Sequence, residues 1–180
     1  MSQVLLLQDY SLFKVLNVFF DDPVKDFQLR EISRQIKLHH KSVAIYIRKL
    51  LKLGLIKLNT KTLYESYNAN SESHMFLHYK KSINLIKIYD SGLVEYLYEK
   101  LMPSCIVAFG SYAKGADIKD SDIDIFLETK EEKIDVAKYE DKLGRKIQLV
   151  FEKNINDLTK ELRNNIINGI VLNGNLRLFK

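Results

Sequence analysis

An α+β chain built in two parts is what the order of apolar periods predicts for these 180 residues. Three observations carry that expectation. In the first third, apolar residues recur at helical spacing, and two short apolar runs around a polar centre follow them. The second half holds a continuous apolar run from Cys105 to Phe109 and then a stretch, residues 120–127, in which polar and apolar residues alternate; strands leave both patterns. Charge divides along the same line. Residues 1–100 carry 15 Lys/Arg against 10 Asp/Glu, whereas 101–180 carry 13 of each.

With 46% hydrophobic and 28% charged residues, the chain has ordinary globular composition and enough apolar material to bury a core. Its length admits two small domains. Trp is absent and Pro occurs twice, which excludes collagen-like and Pro-rich classes. The longest apolar stretches, near residues 105–110 and 50–56, fall well short of the roughly 18 residues that span a bilayer. Met1-Ser2-Gln3-Val4 lacks the basic start of a signal peptide. A cytoplasmic protein with no membrane partner is expected. The single Cys105 excludes an internal disulfide and a Cys-rich zinc site, and reads as a buried strand residue.

Residues 10–20 place Leu12, Phe13, Val15, Leu16, Val18, Phe19 and Phe20 at helical spacing, and Asp21-Asp22-Pro23 ends that helix. Residues 29–36 repeat the stripe with Leu29, Ile32 and Ile36, and Lys37-Leu38-His39 turns the chain. A third helix over residues 40–53 buries Val43, Ile47, Leu50 and Leu51, with Gly54 as its stop. Residues 55–58 and 62–64, on either side of Asn59-Thr60-Lys61, read as a small hairpin. Two short helices across a tight turn, followed by a hairpin, spell a winged helix-turn-helix over residues 1–68.

Once the apolar stripe is assigned to the core, Lys41, Ala44, Ile45, Arg48 and Lys52 share the outer face of the third helix. That face suits the major groove of double-stranded DNA: Ala44 and Ile45 can touch a thymine methyl, and Arg48 a guanine edge or a phosphate. Lys57 and Lys61 on the hairpin would grip the backbone. Residues 25–61 carry ten bases against only Asp26 and Glu31, a field that draws a polyanion. His39 and His40 point about 100° apart on a helix, which favours a groove or phosphate contact over a shared metal.

Polar residues 67–73 form the seam of the chain, and residues 69–101 a helical connector of two helices, 75–88 and 93–101. His74 and His78 share a face, but no Cys or paired carboxylate stands beside them to complete a metal site. Residues 102–180 form the second domain. Its buried strand ends at Gly110-Ser111. In residues 120–127 the alternation sends Asp122 and Asp124 to one face and Ile123, Ile125 and Leu127 to the other. Two carboxylates about 7 Å apart along a strand repel one another unless a cation lies between them, and Mg²⁺ suits such oxygen donors. Glycine lets backbone approach a phosphate, and the short helix after it offers free N–H groups. A triphosphate held by the amides around Gly110 and Ser111 and by the Ser111 hydroxyl, with metal on Asp122 and Asp124, is arranged for in-line attack.

The combination of Gly110-Ser111, ten residues, and Asp122-x-Asp124 resembles the signature of the minimal nucleotidyltransferases of the DNA polymerase beta superfamily. The resemblance covers about residues 102–172, and residues 10–66 resemble the winged helix-turn-helix that archaeal members carry at the N-terminus. It implies a short mixed sheet with flanking helices and binding of Mg²⁺ and an NTP, ATP first. It also implies nucleotide contacts from Gly110, Ser111 and Lys114, the last at a position more often Arg, and transfer of a nucleotidyl group with diphosphate released. In the branch similar to antitoxins of HEPN-type ribonucleases, the acceptor is a tyrosine of the partner toxin, so a toxin–antitoxin role and a HEPN-type partner are implied as well.

The family usually draws a third carboxylate from a neighbouring strand, where residues 146–150 instead place Gln148. A neutral amide can ligate a metal through its oxygen but accepts no proton. Glu152 keeps the same face four residues on. Two readings stand: an active transferase using Asp122 and Asp124 with Gln148 or Glu152, and a catalytically impaired domain that senses nucleotide in a DNA-binding transcriptional regulator. The remaining stretches read as scaffold. Residues 130–143 are expected as one helix with Ile134, Ala137 and Leu143 inward, and residues 156–168 as another through Leu158, Leu162 and Ile166. Asn173-Gly174 suggests a terminal hairpin or an edge strand. Winged domains often pair, so a homodimer is expected.

Overall fold

The computed structural model describes residues 10–60 and 64–178. It divides into two compact units, the division falling between Lys80 and Lys81. The first contains α1 (Ser11–Asp21), α2 (Leu29–Gln35), α3 (His40–Lys52), β1 (Ile56–Asn59) and β2 (Ser66–Ala69). Val15, Phe19, Ile32, Val43, Ile47 and Leu50 are the buried members of the three helical stripes; burying each such side chain contributes about 1.5–3 kcal/mol. Phe19 meets Phe27 edge to face at 5.5 Å, in the geometry aromatic pairs prefer. The α2–α3 turn passes through Lys37 in a left-handed conformation, φ 53°.

The hairpin departs from expectation. Its second strand is Ser66–Ala69, antiparallel to β1 with Ile56 opposite Ala69 and Asn59 opposite Ser66, later in the chain than the segment expected from residue 62. Tyr64 is exposed, and residues 62 and 63, like Lys61, lie outside the described residues. The reason lies at Tyr67, whose backbone exchanges two 2.8 Å hydrogen bonds with Phe27. That long-range bridge draws into the sheet a segment whose composition reads as a polar seam.

The helix α4 (His74–Ser91) runs through the division. The second unit continues with α5 (Leu93–Leu101), β3 (Cys105–Phe109), α6 (Gly110–Lys114), β4 (Ile123–Glu128), α7 (Ala137–Leu143), β5 (Ile147–Glu152), α8 (Lys160–Ile167) and β6 (Ile170–Gly174). The strands form one mixed sheet in the order β5-β4-β3-β6, with β4–β5 parallel and the other pairs antiparallel. β3 is buried along its whole length, as a central strand covered on both faces must be. One face packs Ile106, Ala108, Ile123, Ile125 and Leu127 with Leu93 and Leu97 of α5. The other packs Cys105, Val107, Phe109 and Phe126 with Ile155 and with Ile166 of α8. Burial, with Glu128 adding to it, pushes the Cys105 thiol up to about 11, as fits a packing residue rather than a nucleophile.

Two further elements differ from the sequence expectations. α7 begins at Ala137, not residue 130; Ile134 and Val136 pack on the core without helix, and the Asp135 carbonyl accepts a bond from the Tyr96 hydroxyl. The helix expected over 156–168 splits into a 3₁₀ turn, Ile155–Asp157, and α8. Asn154 and Thr159 each cap the segment that follows, and such side-chain bonds compete with a continuous helix. Of the two terminal alternatives, the described residues form the edge strand β6. No helix among the described residues is long and apolar enough to cross a membrane.

Candidate active site

The site begins with how β3 ends. Phe109 pairs with Asp124 across the antiparallel ladder, so the residue after Phe109 must turn directly over the Asp124 side chain. That residue is Gly110, with φ +74°, and a Cβ built on it would lie 2.0 Å from Asp124 Oδ2. Only glycine accommodates both the left-handed backbone and that approach. Ser111 follows in the first turn of α6, and Lys114 is its exposed last residue. Asp122 is exposed and stands immediately before β4, while Asp124 is half-buried within it.

The two carboxylates are close enough to influence one another. Burial, and then the charge of Asp122, hold the Asp124 carboxyl above the ordinary carboxylate range. A raised carboxyl pKa means that the folded state favours the protonated form: stability is gained as pH falls through the folded pKa and lost above it. Asp124→Asn removes that cost and is expected to raise the melting temperature by about 1–3 °C at neutral pH, measured by calorimetry without divalent ions.

On β5, Gln148 pairs in register with Asp124, and Glu152 with Glu128. Gln148 is therefore the neighbour of Asp124 on the same sheet face. Glu152 lies four residues further along, roughly 13 Å at the rise of a strand, and its Oε1 accepts the Lys153 N–H at 2.8 Å. Lys146 stands immediately before β5, two residues ahead of Gln148. The hydrogen bond it donates to Glu140 first, with that carboxylate's charge, and the charges of Asp141 and Asp122 after it, hold its ammonium above the ordinary value.

Among the described residues no group of three or more His, Cys, Asp or Glu side chains is placed to hold a metal ion. The donor set here is the Asp122 and Asp124 carboxylates and the Gln148 amide oxygen. Such a set fits Mg²⁺, which is commonly held by one or two carboxylates and completed by water and substrate phosphates.

A second layer, which the sequence reading missed, surrounds the loop between α6 and β4. Arg145, just before β5, pairs with Asp117 at 3.0 Å, the two side chains 9% and 0% exposed. Its Nη1 donates to the carbonyls of Ile118, Lys119 and Ser121. Asn84 donates to Asp117 Oδ1 at 2.8 Å and to the Tyr112 carbonyl at 2.9 Å. Asp117 sits in the polar stretch Ala116-Asp117-Ile118-Lys119-Asp120, which gives no local sign of burial.

In the first unit, Ile45 is 58% exposed, Lys41, Arg48 and Lys52 are exposed, and Ala44 is partly covered, so the expected outer face of α3 is outward. Arg48 Nε donates to the Ala44 carbonyl. Lys57 on β1 is exposed and pairs with Glu72 at 2.5 Å. His39 caps α3 through Nδ1.

Residues 91–176 match the family model described as Polymerase beta, Nucleotidyltransferase. The match falls within the second unit. Together with the mixed sheet and its flanking helices, it supports a nucleotidyltransferase domain of the polymerase beta superfamily there. No curated protein and no solved structure matches the chain significantly.

Proposed function

We propose that the second unit binds an NTP with Mg²⁺ and transfers its nucleotidyl group to an acceptor hydroxyl. The observation that carries this reading is the apposition of the Gly110 bend and the Asp124 carboxylate, which brings a phosphate-cradling backbone and a metal-binding acid to one spot. Asp122 and Asp124 would hold the ion, with the Gln148 amide oxygen beside them. A bound Mg²⁺ would neutralise phosphate charge and orient the α-phosphorus. The amides at Gly110 and Ser111 and the Ser111 hydroxyl bind the phosphate oxygens, and Lys114 supplies positive charge at the far end of α6. In the transfer, the acceptor oxygen bonds to the α-phosphorus, the α–β bridging bond breaks and diphosphate leaves with its electron pair. The hydroxyl proton passes to solvent, because Gln148 cannot take it. A protein tyrosine, as on a HEPN-type partner, is an acceptor of suitable chemistry.

The register of Gln148 beside Asp124 favours a second reading: a domain that binds nucleotide without turnover and reports it to a DNA-binding unit. Incubation with α-labelled ATP, Mg²⁺ and tyrosine-bearing acceptors separates the two. Label transfer supports the enzyme; no transfer, with ATP still raising the melting temperature, supports the sensor. Loss of both effects overturns the site.

For the first unit we propose a winged helix-turn-helix that binds double-stranded DNA through Lys41, Ala44, Ile45, Arg48 and Lys52, with Lys57 and Lys61 on the wing, in a homodimer. Arg48→Ala is expected to weaken duplex binding by about 1–3 kcal/mol if it reads a base. Lys41→Ala is expected to lower the salt slope by about one if it meets a phosphate. Fluorescence anisotropy across a salt series checks both, and unchanged affinity would remove α3 as the reading helix.

A further inference from the structure

We propose that Arg145 is the positioning residue of the nucleotide site, a role that rests on the reading of Asp122 as a metal-binding carboxylate. The six residues 116–121 between Gly115 and Asp122 contain no helix or strand; their backbone bonds are local, Ala116 N–H to the Ser111 carbonyl and Ser121 N–H to the Ile118 carbonyl, and shape the turn without tying it to the sheet. Three of their carbonyls, those of Ile118, Lys119 and Ser121, converge instead on Nη1 of one guanidinium. Its Nη2 pairs with Asp117 of the same loop.

The anchor is built rather than incidental. Asp117 is 1% exposed, and its second carboxylate oxygen accepts from Asn84, which also holds the Tyr112 carbonyl. Arg145 lies 5.6 Å from the Tyr112 ring, and Tyr112 follows Gly110-Ser111 in α6. Arg145 also precedes Ile147, whose strand partner is Ile123, between the two acids. One side chain therefore ties together the Gly-Ser bend, the loop that delivers Asp122 and the head of the strand that bears Gln148. Only a planar fork can do both at once: the two N–H groups of Nη1 are shared among the three carbonyls while Nη2 faces Asp117, whereas an ammonium carries all its donors on one nitrogen and cannot span both sides. A metal site tolerates displacements of only about 0.5 Å in its ligands, so loosening the loop should register at the metal before it registers elsewhere.

The test compares wild-type protein with Arg145→Lys and Asp117→Asn, all full-length and checked for folding by near-ultraviolet circular dichroism. ATP affinity is measured by calorimetry in Mg²⁺ and in EDTA. In wild type, Mg²⁺ is expected to tighten ATP binding. In Arg145→Lys that metal-dependent gain is expected to shrink roughly tenfold, the size of effect seen when a residue behind a metal ligand is lost, while affinity in EDTA changes little. A lower melting temperature with the Mg²⁺ gain intact would reduce Arg145 to scaffold and overturn the proposal. Should Arg145→Lys not fold, Asp117→Asn carries the test: it keeps the shape but removes the counter-charge, and an undiminished Mg²⁺ gain there overturns the proposal equally. A wild type with no Mg²⁺ gain would instead sink the reading of Asp122 on which the proposal stands.

Discussion

Replacing Gly110 with alanine is expected to abolish Mg²⁺-dependent ATP binding and label transfer. Two physical effects act together. The backbone at this position is left-handed, φ +74°, which costs a residue bearing a Cβ about 1–2 kcal/mol. The Cβ itself would stand 2.0 Å from Asp124 Oδ2 and 3.0 Å from its Cγ, so the carboxylate must swing away from the bend. The first effect lowers the melting temperature by about 2–8 °C. The second removes a metal ligand from its place, and a misplacement near 1 Å already costs on the order of 10²-fold in rate. Asp124→Asn serves as the comparison, since it should lose the same Mg²⁺-dependent binding while gaining stability. An alanine variant that binds ATP·Mg²⁺ like wild type would remove the bend from the site.

Gln148→Asp is expected to act in the opposite direction. Gln148 stands beside Asp124 on the parallel neighbour strand, so an aspartate there completes a third carboxylate on the same face. A positioned general base contributes typically 10²–10⁴-fold, and transfer to a tyrosine-bearing acceptor should rise within that range. The metal-free protein should become less stable, because a third negative charge joins a pair in which burial first, and then the charge of Asp122, already raise Asp124. Mg²⁺ should accordingly raise the melting temperature of this variant more than that of wild type. Glu152→Gln is the control and should leave transfer unchanged, because Glu152 pairs with Glu128 rather than with Asp124. If Gln148→Asp gains nothing, the sensor reading is favoured.

The parts of this molecule that were legible beforehand are those written in a local period. The stripes of α1 and α3 were readable because Val15 and Phe19, and Val43, Ile47 and Leu50, recur at the helical repeat, and these residues are buried. The alternation from Asp122 to Leu127 likewise announced a strand, which runs from Ile123 with Asp124 in it and Asp122 just before it. Turns and caps were harder. The helix expected from residue 130 starts only at Ala137, because apolar residues that pack without helix leave the same composition as those that pack within it.

What the order of residues determined by itself, then, is the chemistry available: two acids one residue apart at the start of a strand, a glycine at the end of a buried strand, an amide in a third place, and a basic outer face on α3. Tertiary structure decided which of these meet. Strand register set Phe109 opposite Asp124 and Gln148 beside it; a pair of hydrogen bonds between Phe27 and Tyr67 placed β2; and burial turned Asp117 and Arg145 from apparent surface charges into the anchor of a loop. The reason is one of range. Side-chain periods are fixed by a few neighbouring bonds, whereas register and charge burial depend on groups tens of residues apart that the chain brings together only when the whole core closes.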